Sequence, residues 1–528
     1  MSRSARLFRT LMTLTPIREG LMRILALSLS TILSMVTAIA LAADGSNPPW
    51  YPSLMASEAY DSGRTRLFKQ AHFTGSFNRP NAVDVQTTPG RDVYLTPYNV
   101  VYKNAHSMFV YGGGFGDQGG MGAFVAKLDS TTLEKIWFKQ LINIDTTQSH
   151  SAWDYPGVVG MLDDGMLYVI YGAQLTKLDP RDGRIVRTLK LPTDQANDWP
   201  DRDTAYNGFV ALPDGTIIAK TVYRQIGCTA QGFDAFLKLP EYPDCDHPEE
   251  VPHSVLVAID PDRMRILDRI EIPAFTVGRV TSTLFQGKDY IYVPGPKNVY
   301  RYIWKHRRFT EDTQWGPVQY NDDISGQTPA SAVVVMNDWI MFTTNGAKIS
   351  EPCENELKGP CQSPWLTVWA INQADSSIRH RLQPFENMQP PPSSDYPLSF
   401  CPSAPTVDPL RKRIFVFDAG PGKMAAVDLE PDGLHGAWIV DQRTTEFQAL
   451  IGSPNRRVVV STEIPPGQPL GTNSSNFVVW RDSESGEELA RVHLPPVLSG
   501  TMVQPGYDGH MYYLGDSDIK KLTVRPAR

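Results

Sequence analysis

Seven polar residues stand at comparable places along the chain, each close to the start of a β-rich stretch: Asn99, His150, Asp154, Asn207, Arg279, Ser403 and Glu446. Together they could hold a metal, a carboxylate or a carbonyl. Histidine is the usual general base near neutral pH, so His150, with Asp154 and Arg279, forms the catalytic candidate set. Asn99, Asn207 and Glu446 offer oxygen donors for a cofactor, and together with Asp154 they could ligate a hard cation such as Ca2+. Plainer readings stand beside these. Asn99 and Asn207 each follow a tyrosine before a strand, a place where asparagine commonly shapes a turn. Asp154 could satisfy backbone donors, and Arg279 could balance nearby carboxylates. The seven become a site only in a fold that brings the starts of distant strands to one axis.

Other motifs are less informative. No GxSxG, HExxH or EF-hand loop is present. The glycines of "GGGFGDQGG" from Gly112 are followed by a strand pattern rather than a helix, so they read as a loop and not as a phosphate cradle. Five cysteines occur without CxxC or CxxCH spacing. Cys228 with Cys245 and Cys353 with Cys361 are expected to form two local disulfides in an oxidising compartment, and Cys401 is expected to be a buried apolar residue.

The elements that must position the candidates announce themselves by repetition. "FVAKLDSTTLEKIWFKQL" from Phe124, "LTKLDPRDGRIVRTLKLP" from Leu175, "LVAIDPDRMRILDRIEIP" from Leu256, "TVWAINQADSSIRHRLQP" from Thr367, "MAAVDLEPDGLHGAWIVD" from Met424 and "FVVWRDSESGEELARVHLP" from Phe477 share one phrase: strand, Asp or Asn turn, strand. Two more strand-like runs precede each, joined by short turns such as the Asp-Gly of "GMLDDGMLYVIYG". Units begin near residues 95, 154, 205, 279, 328, 401, 445 and 499. Repeated four-stranded meanders at this spacing predict an all-β, eight-bladed β-propeller, with seven blades as the alternative. The last unit lacks its outer strand, so an N-terminal segment such as "KQAHFTGSF" from Lys69 is expected to complete it and close the ring.

Strand alternation places the B-to-C and D-to-A connections of every unit on one face. These are the long ones, including Arg224 to Pro252 and Lys348 to Pro364, whereas the turns of the opposite face are short. Function is expected on the long-loop face, at the channel mouth.

The turn between the third and fourth strands carries a resemblance. Asp129, Thr132 and Trp137, then Asp179 with Gly183, then Asp482 with Gly486, resemble the Asp, Thr-Gly, Trp blade signature of the quinoprotein alcohol dehydrogenase superfamily, with Leu133 in place of one glycine. The resemblance implies an eight-bladed ring in which the tryptophan docks neighbouring blades, and it makes pyrroloquinoline quinone (PQQ) a candidate cofactor. Tryptophan is read at the docking position once. The adjacent cysteine pair and stacked tryptophan usual around the quinone are not identifiable.

The amino terminus reads as an address. Arg3, Arg6, Arg9, Arg18 and Arg23 precede an apolar run from Ile24 that ends Ala40-Leu41-Ala42, so residues 1–42 are expected to be a signal peptide cleaved after Ala42, and residues 43–528 a single propeller domain, periplasmic or secreted. An uncleaved anchor is the alternative. A net charge of −7 gives no support for nucleic acid or an anionic membrane surface as partner. Three functions follow: an exported oxidoreductase acting on a small organic substrate, a calcium-assisted hydrolase or lactonase, and a non-catalytic scaffold that binds a partner on the long-loop face.

Overall fold

The computed structural model describes residues 49–89, 97–113, 122–142, 157–193, 204–223, 252–321, 330–345, 365–388, 399–446, 448–465, 476–495, 503–515 and 517–528. They form eight antiparallel sheets of successive strands A to D, the blades of a β-propeller. Blade 1 runs from Pro97 to Gln140, blade 2 from Val158 to Lys190, blade 3 from Thr204 to Glu271 and blade 4 from Thr281 to Glu311. Blades 5 to 7 span Val334 to Leu382, Thr406 to Asp441 and Ala449 to Leu494, and blade 8 begins at Val503. The ring therefore has eight blades and not seven.

Burial follows the strand order. In blade 2 the B strand Leu167–Tyr171 is wholly buried, while the D strand Ile185–Lys190 is almost wholly exposed. A continuous apolar run such as "LYVIY" needs cover on both faces, and the neighbouring blades supply it: Tyr168 and Phe209 belong to one buried cluster.

The turn between strands C and D sets how blades stack. Asp129 Oδ1 accepts the Thr131 and Thr132 backbone N–H groups at 2.8 and 2.9 Å, and four residues after the aspartate the backbone turns left-handed. Leu133 (φ 63°), Gly183 (70°), Met264 (46°) and Gly486 (74°) hold that position. Trp137 of blade 1 lies over Gly183 of blade 2, where an added Cβ would stand 2.8 Å from the ring. Tryptophan docks more often than the sequence reading had it. Trp438 of blade 6 covers Gly486 and donates its indole N–H to Ser483 O of blade 7 at 3.1 Å, and Trp315 of blade 4 donates to Asn372 O of blade 5 at 2.9 Å. Trp438 was missed because extra residues separate it from the turn, ten positions after Asp428 where Trp137 stands eight after Asp129, and Trp315 because it lies beyond the strand Arg308–Glu311, which no Asp turn precedes.

The outer strand of blade 8 is Asn81–Thr87, antiparallel to Ile519–Pro526 with Val83 opposite Val524. An N-terminal strand thus closes the ring, but it lies downstream of "KQAHFTGSF". That stretch links the strand to the axis: Gly452 N–H donates to Ala71 O, and the Thr74 hydroxyl donates to Val524 O at 2.6 Å.

Residues 49–71 form no blade and run inside the ring. Trp50 bridges Leu162 at the short-turn face of blade 2. Leu54 N–H donates to the Tyr507 hydroxyl of blade 8 at 3.1 Å. The carbonyls of Met55 and Ala56 then accept the N–H groups of Tyr102 in blade 1 and Met161 in blade 2. The Ser62 hydroxyl donates to Ala211 O of blade 3 at 2.7 Å. The carbonyls of Ser62, Gly63, Thr65 and Arg66 accept from Ser282, Val335, Val407 and Leu450 of blades 4 to 7, at 2.8 to 3.2 Å. From Leu54 on the segment makes one lap about the axis, touching blade 8 and then blades 1 to 7 in ring order, with Leu67–Phe68 paired parallel to strand A of blade 7. Innermost strands are edges, and a buried edge N–H left unpaired costs about 1–3 kcal/mol, so the lap removes a penalty repeated around the ring.

Candidate functional site

The lap and the starts of the A strands around it bring their polar groups together, the lap as the floor and the strand starts as the wall of a cup of buried side chains. Glu58, Arg64 and Arg66 rise from the floor, 6%, 2% and 4% exposed. From the wall come Tyr98 of blade 1, Arg279 at the entrance to blade 4, and Ser403 and Ala404 before blade 6. Arg64 Nη1 donates to Glu58 Oε1 at 2.5 Å and its Nε to Val280 O at 2.8 Å. Arg279 Nη1 donates to the other Glu58 oxygen and its Nη2 to the Tyr98 hydroxyl, with the guanidinium 5.3 Å from the Tyr98 ring centroid. Arg66 donates to Ala404 O and, at 3.2 Å, to Ser403 Oγ.

The backbone is bent to present these groups. Tyr60 (φ 75°), Arg64 (58°) and Arg66 (55°) all lie in the left-handed region, at about 1–2 kcal/mol each for a residue bearing a Cβ. Strain of this kind persists only where the surroundings fix it, here through the hydrogen bonds of the lap. The left-handed Gly208 of blade 3 faces Arg279 and Glu58, so no side chain intrudes on the pair.

Burial alone would raise the Glu58 carboxyl, but the Arg279 and Arg64 guanidiniums outweigh it and hold the group at about 2. Burial pushes Arg66 down to about 9 and lowers Arg64 as well, in each case against the pull of Glu58. Burial raises the Tyr98 hydroxyl to about 12, leaving it a neutral donor or acceptor. Beyond the wall, burial and then Arg279 hold Lys220 well below the usual lysine range, its ammonium donating to Thr276 O at 2.7 Å and Thr221 O at 3.0 Å.

Of the sequence candidates, Arg279 and Ser403 stand in the cup. Asn99 clasps the next blade instead: its Nδ2 donates to Val159 O at 2.9 Å and its Oδ1 accepts Val159 N–H at 3.1 Å. Asn207 does likewise, donating to Val277 O at 2.6 Å. Glu446 is buried beside Thr444 and Thr445, accepting from the Thr445 hydroxyl at 3.2 Å. His150, Asp154 and the cysteines 228, 245, 353 and 361 lie outside the described residues. Cys401 is free and buried, its thiol pushed up to about 12 by burial and then by Asp418, and so kept protonated. Glu58, Arg64, Arg66 and Tyr98 were missed. The signal for Glu58, Arg64 and Arg66 was the charged stretch "EAYDSGRTR" from Glu58, lying between the apolar leader and the first unit with no blade to serve; Tyr98 had none of its own beyond its place beside Asn99.

No family model matches the chain, and no curated protein does. Solved structures do resemble it. The quinohemoprotein alcohol dehydrogenase from Comamonas testosteroni aligns with a TM-score of 0.51 at 10% identity, over 91% of this chain and 81% of that one. The WD40 domain of SCAP from fission yeast aligns at 0.45 and 8% identity, over 84% and 98%, and the Dos1 propeller at 0.45 and 8%, over 81% and 95%. At 10% identity the first of these speaks for the fold alone and leaves the chemistry to the site.

Proposed function

We propose that this chain is an exported β-propeller enzyme, an oxidoreductase that takes a small organic substrate into the cup at the loop-face mouth. The observation that carries the reading is convergence. Glu58, Tyr98, Arg279 and Ser403 come from four remote parts of the chain and join, with Arg66, in one buried polar cluster, on the side where the long connections of blades 3 and 5 leave, between Tyr223 and Val255 and between Thr343 and Val368. Oxidoreductase chemistry comes to this chain from its likeness to an alcohol dehydrogenase, and export from its leader. Among the described residues no helix is long and apolar enough to cross a membrane.

PQQ is a flat tricarboxylate that accepts two electrons and works beside calcium. The guanidiniums of the cup match its carboxylates. A calcium finds no support in the cup: Glu58 has both oxygens taken by arginines, and the carboxamides of Asn99 and Asn207 are engaged with backbone. The described set fits an organic anion and does not fit the quinone with its cation, and the same fact weakens the calcium-assisted hydrolase.

A binding scaffold is the second reading. What favours it is that the polar groups of the cup are bonded to one another, with no activated nucleophile among the described residues. Purified mature protein, alone and after addition of PQQ, should reduce an artificial electron acceptor in the presence of one or more alcohols, aldehydes or sugars. No turnover with any of them, and no bound chromophore, would leave the scaffold.

A further inference from the structure

We infer that the hairpin tip of blade 6 binds a divalent transition-metal ion of the zinc class, with His435, Asp432 and Glu430 as its ligands. The site is separate from the cup, because the turns between strands C and D lie on the opposite, short-turn face.

The first ground is the arrangement of donors. Strand C, Lys423–Glu430, and strand D, Gly433–Asp441, are joined by Pro431 and Asp432 alone. Glu430 stands opposite Gly433, and Asp428 opposite His435, so Glu430 and His435 are diagonal neighbours across the hairpin. His435 Nε2 lies 3.0 Å from Asp432 Oδ1, and one ligand atom from each of the three residues lies within 4.8 Å of the others. A tetrahedral ion with bonds of about 2.1 Å holds its ligands roughly 3.4 Å apart. All three side chains are exposed, so an ion can reach them and they can rotate to close on it. The second ground is charge. The turn brings two carboxylates together, and among the described residues no lysine or arginine forms an ion pair with either; Asp432 pairs with His435. An exposed pair of that kind contributes little in water, whereas a divalent cation would relieve the repulsion between the carboxylates. The third ground is ligand type: one imidazole with two carboxylates suits a zinc-class ion, while calcium takes oxygen donors alone. A second imidazole stands beside the turn. His380, on strand D of blade 5, has its Nδ1 3.7 Å from where a Cβ on Gly433 would lie, a further donor for the position that three protein ligands leave open.

Calorimetric titration of the mature protein, made without a histidine tag and stripped with a chelator, tests this with Zn2+, and with Ca2+ and Mg2+ as controls. Zn2+ should bind saturably at micromolar concentration, and His435→Ala should weaken that binding about tenfold or more. Asp432→Asn should do the same, and His380→Ala should weaken it less. The readout is the difference between parent and variants, so zinc held elsewhere in the chain does not enter it. No saturable binding of Zn2+, equal binding by the parent and a folded His435→Ala variant, Ca2+ bound as tightly as Zn2+, or a greater loss at His380 than at His435 would overturn the assignment. These readouts need no turnover, so the result stands apart from the test of oxidoreductase activity.

Discussion

Glu58 and Arg279 are 221 positions apart in the chain and meet as an ion pair inside the ring, where Arg64 grips the second oxygen of the same carboxylate. The pair ties the lap to the wall of the cup. It also makes stability depend on acid. The Glu58 pKa falls from an ordinary 4.5 to about 2 on folding, so its contribution is complete above pH 4.5 and is lost as pH falls toward 2. Glu58→Gln should lower stability at pH 7 by about 3 kcal/mol, as expected when one partner of a buried pair is removed. It should also flatten the acid limb between pH 4.5 and 2 in denaturant titrations. An unchanged acid limb would assign that limb to other carboxylates.

Blade docking separates two costs that glycine substitutions usually mix. Gly183 and Gly215 are both left-handed, at φ 70° and 86°. A Cβ on Gly215 meets nothing closer than 4.0 Å, but on Gly183 it would stand 2.8 Å from Trp137. Gly215→Ala should cost about 1–2 kcal/mol, from backbone strain alone. Gly183→Ala should cost more, because a tryptophan that docks two blades must move. Equal losses by thermal unfolding would mean that the ring yields freely.

The lap makes the N-terminal segment part of the fold rather than a leader to it. Its carbonyls are the acceptors for Tyr102, Met161, Ser282, Val335, Val407 and Leu450. Deleting residues 49–71 should therefore yield protein that aggregates or unfolds at much lower temperature. In the intact protein, hydrogen exchange should find these six amides among the slowest. Fast exchange at all six would show that the lap opens readily.

How much of this was legible follows from where the signal lies. Blades were readable because the turn after Asp129, Asp179, Asp260 and Asp482 is local chemistry that recurs from blade to blade. Arg279 and Ser403 were readable as mouth residues because a propeller gathers the starts of its A strands. The lap was not readable. Its pattern has neither helical nor strand periodicity, and its hydrogen bonds join residues 55 to 66 with partners as distant as Leu450. Asn99 and Asn207 misled in the opposite way: they occupy the expected register, but their carboxamides clasp the adjacent blade.

Export is tested at the amino terminus itself. Cleavage after Ala42 leaves Ala43 first, a few residues ahead of Trp50, where the chain meets blade 2. Expressed with its leader in a Gram-negative host, the protein should be recovered from the periplasm, and N-terminal sequencing should begin at Ala43. Retention of Met1 in a membrane fraction would establish the anchor instead.

Asp418 sets the opposite limb of the stability profile. Its carboxyl is fully buried at the end of strand B in blade 6, and burial pushes it up to about 7 although Ser399 Oγ and the Phe400 and Gly420 N–H groups donate to it at 2.7 to 3.0 Å. Between its ordinary value of 3.8 and about 7 the folded state holds a proton that the unfolded chain has released, so stability falls as pH rises through that window, by a few kcal/mol at most. Glu58 acts below this range and Asp418 within it, which places the maximum of these two contributions near pH 4 to 5. Asp418→Asn removes the titration but keeps only one acceptor oxygen for three donors. The variant should be less stable than the parent at pH 5 and should lose part of the decline toward pH 7 in denaturant titrations. A parent profile that rises through this window, with the variant parallel to it, would mean that the three donors hold Asp418 ionised and that burial is the weaker influence.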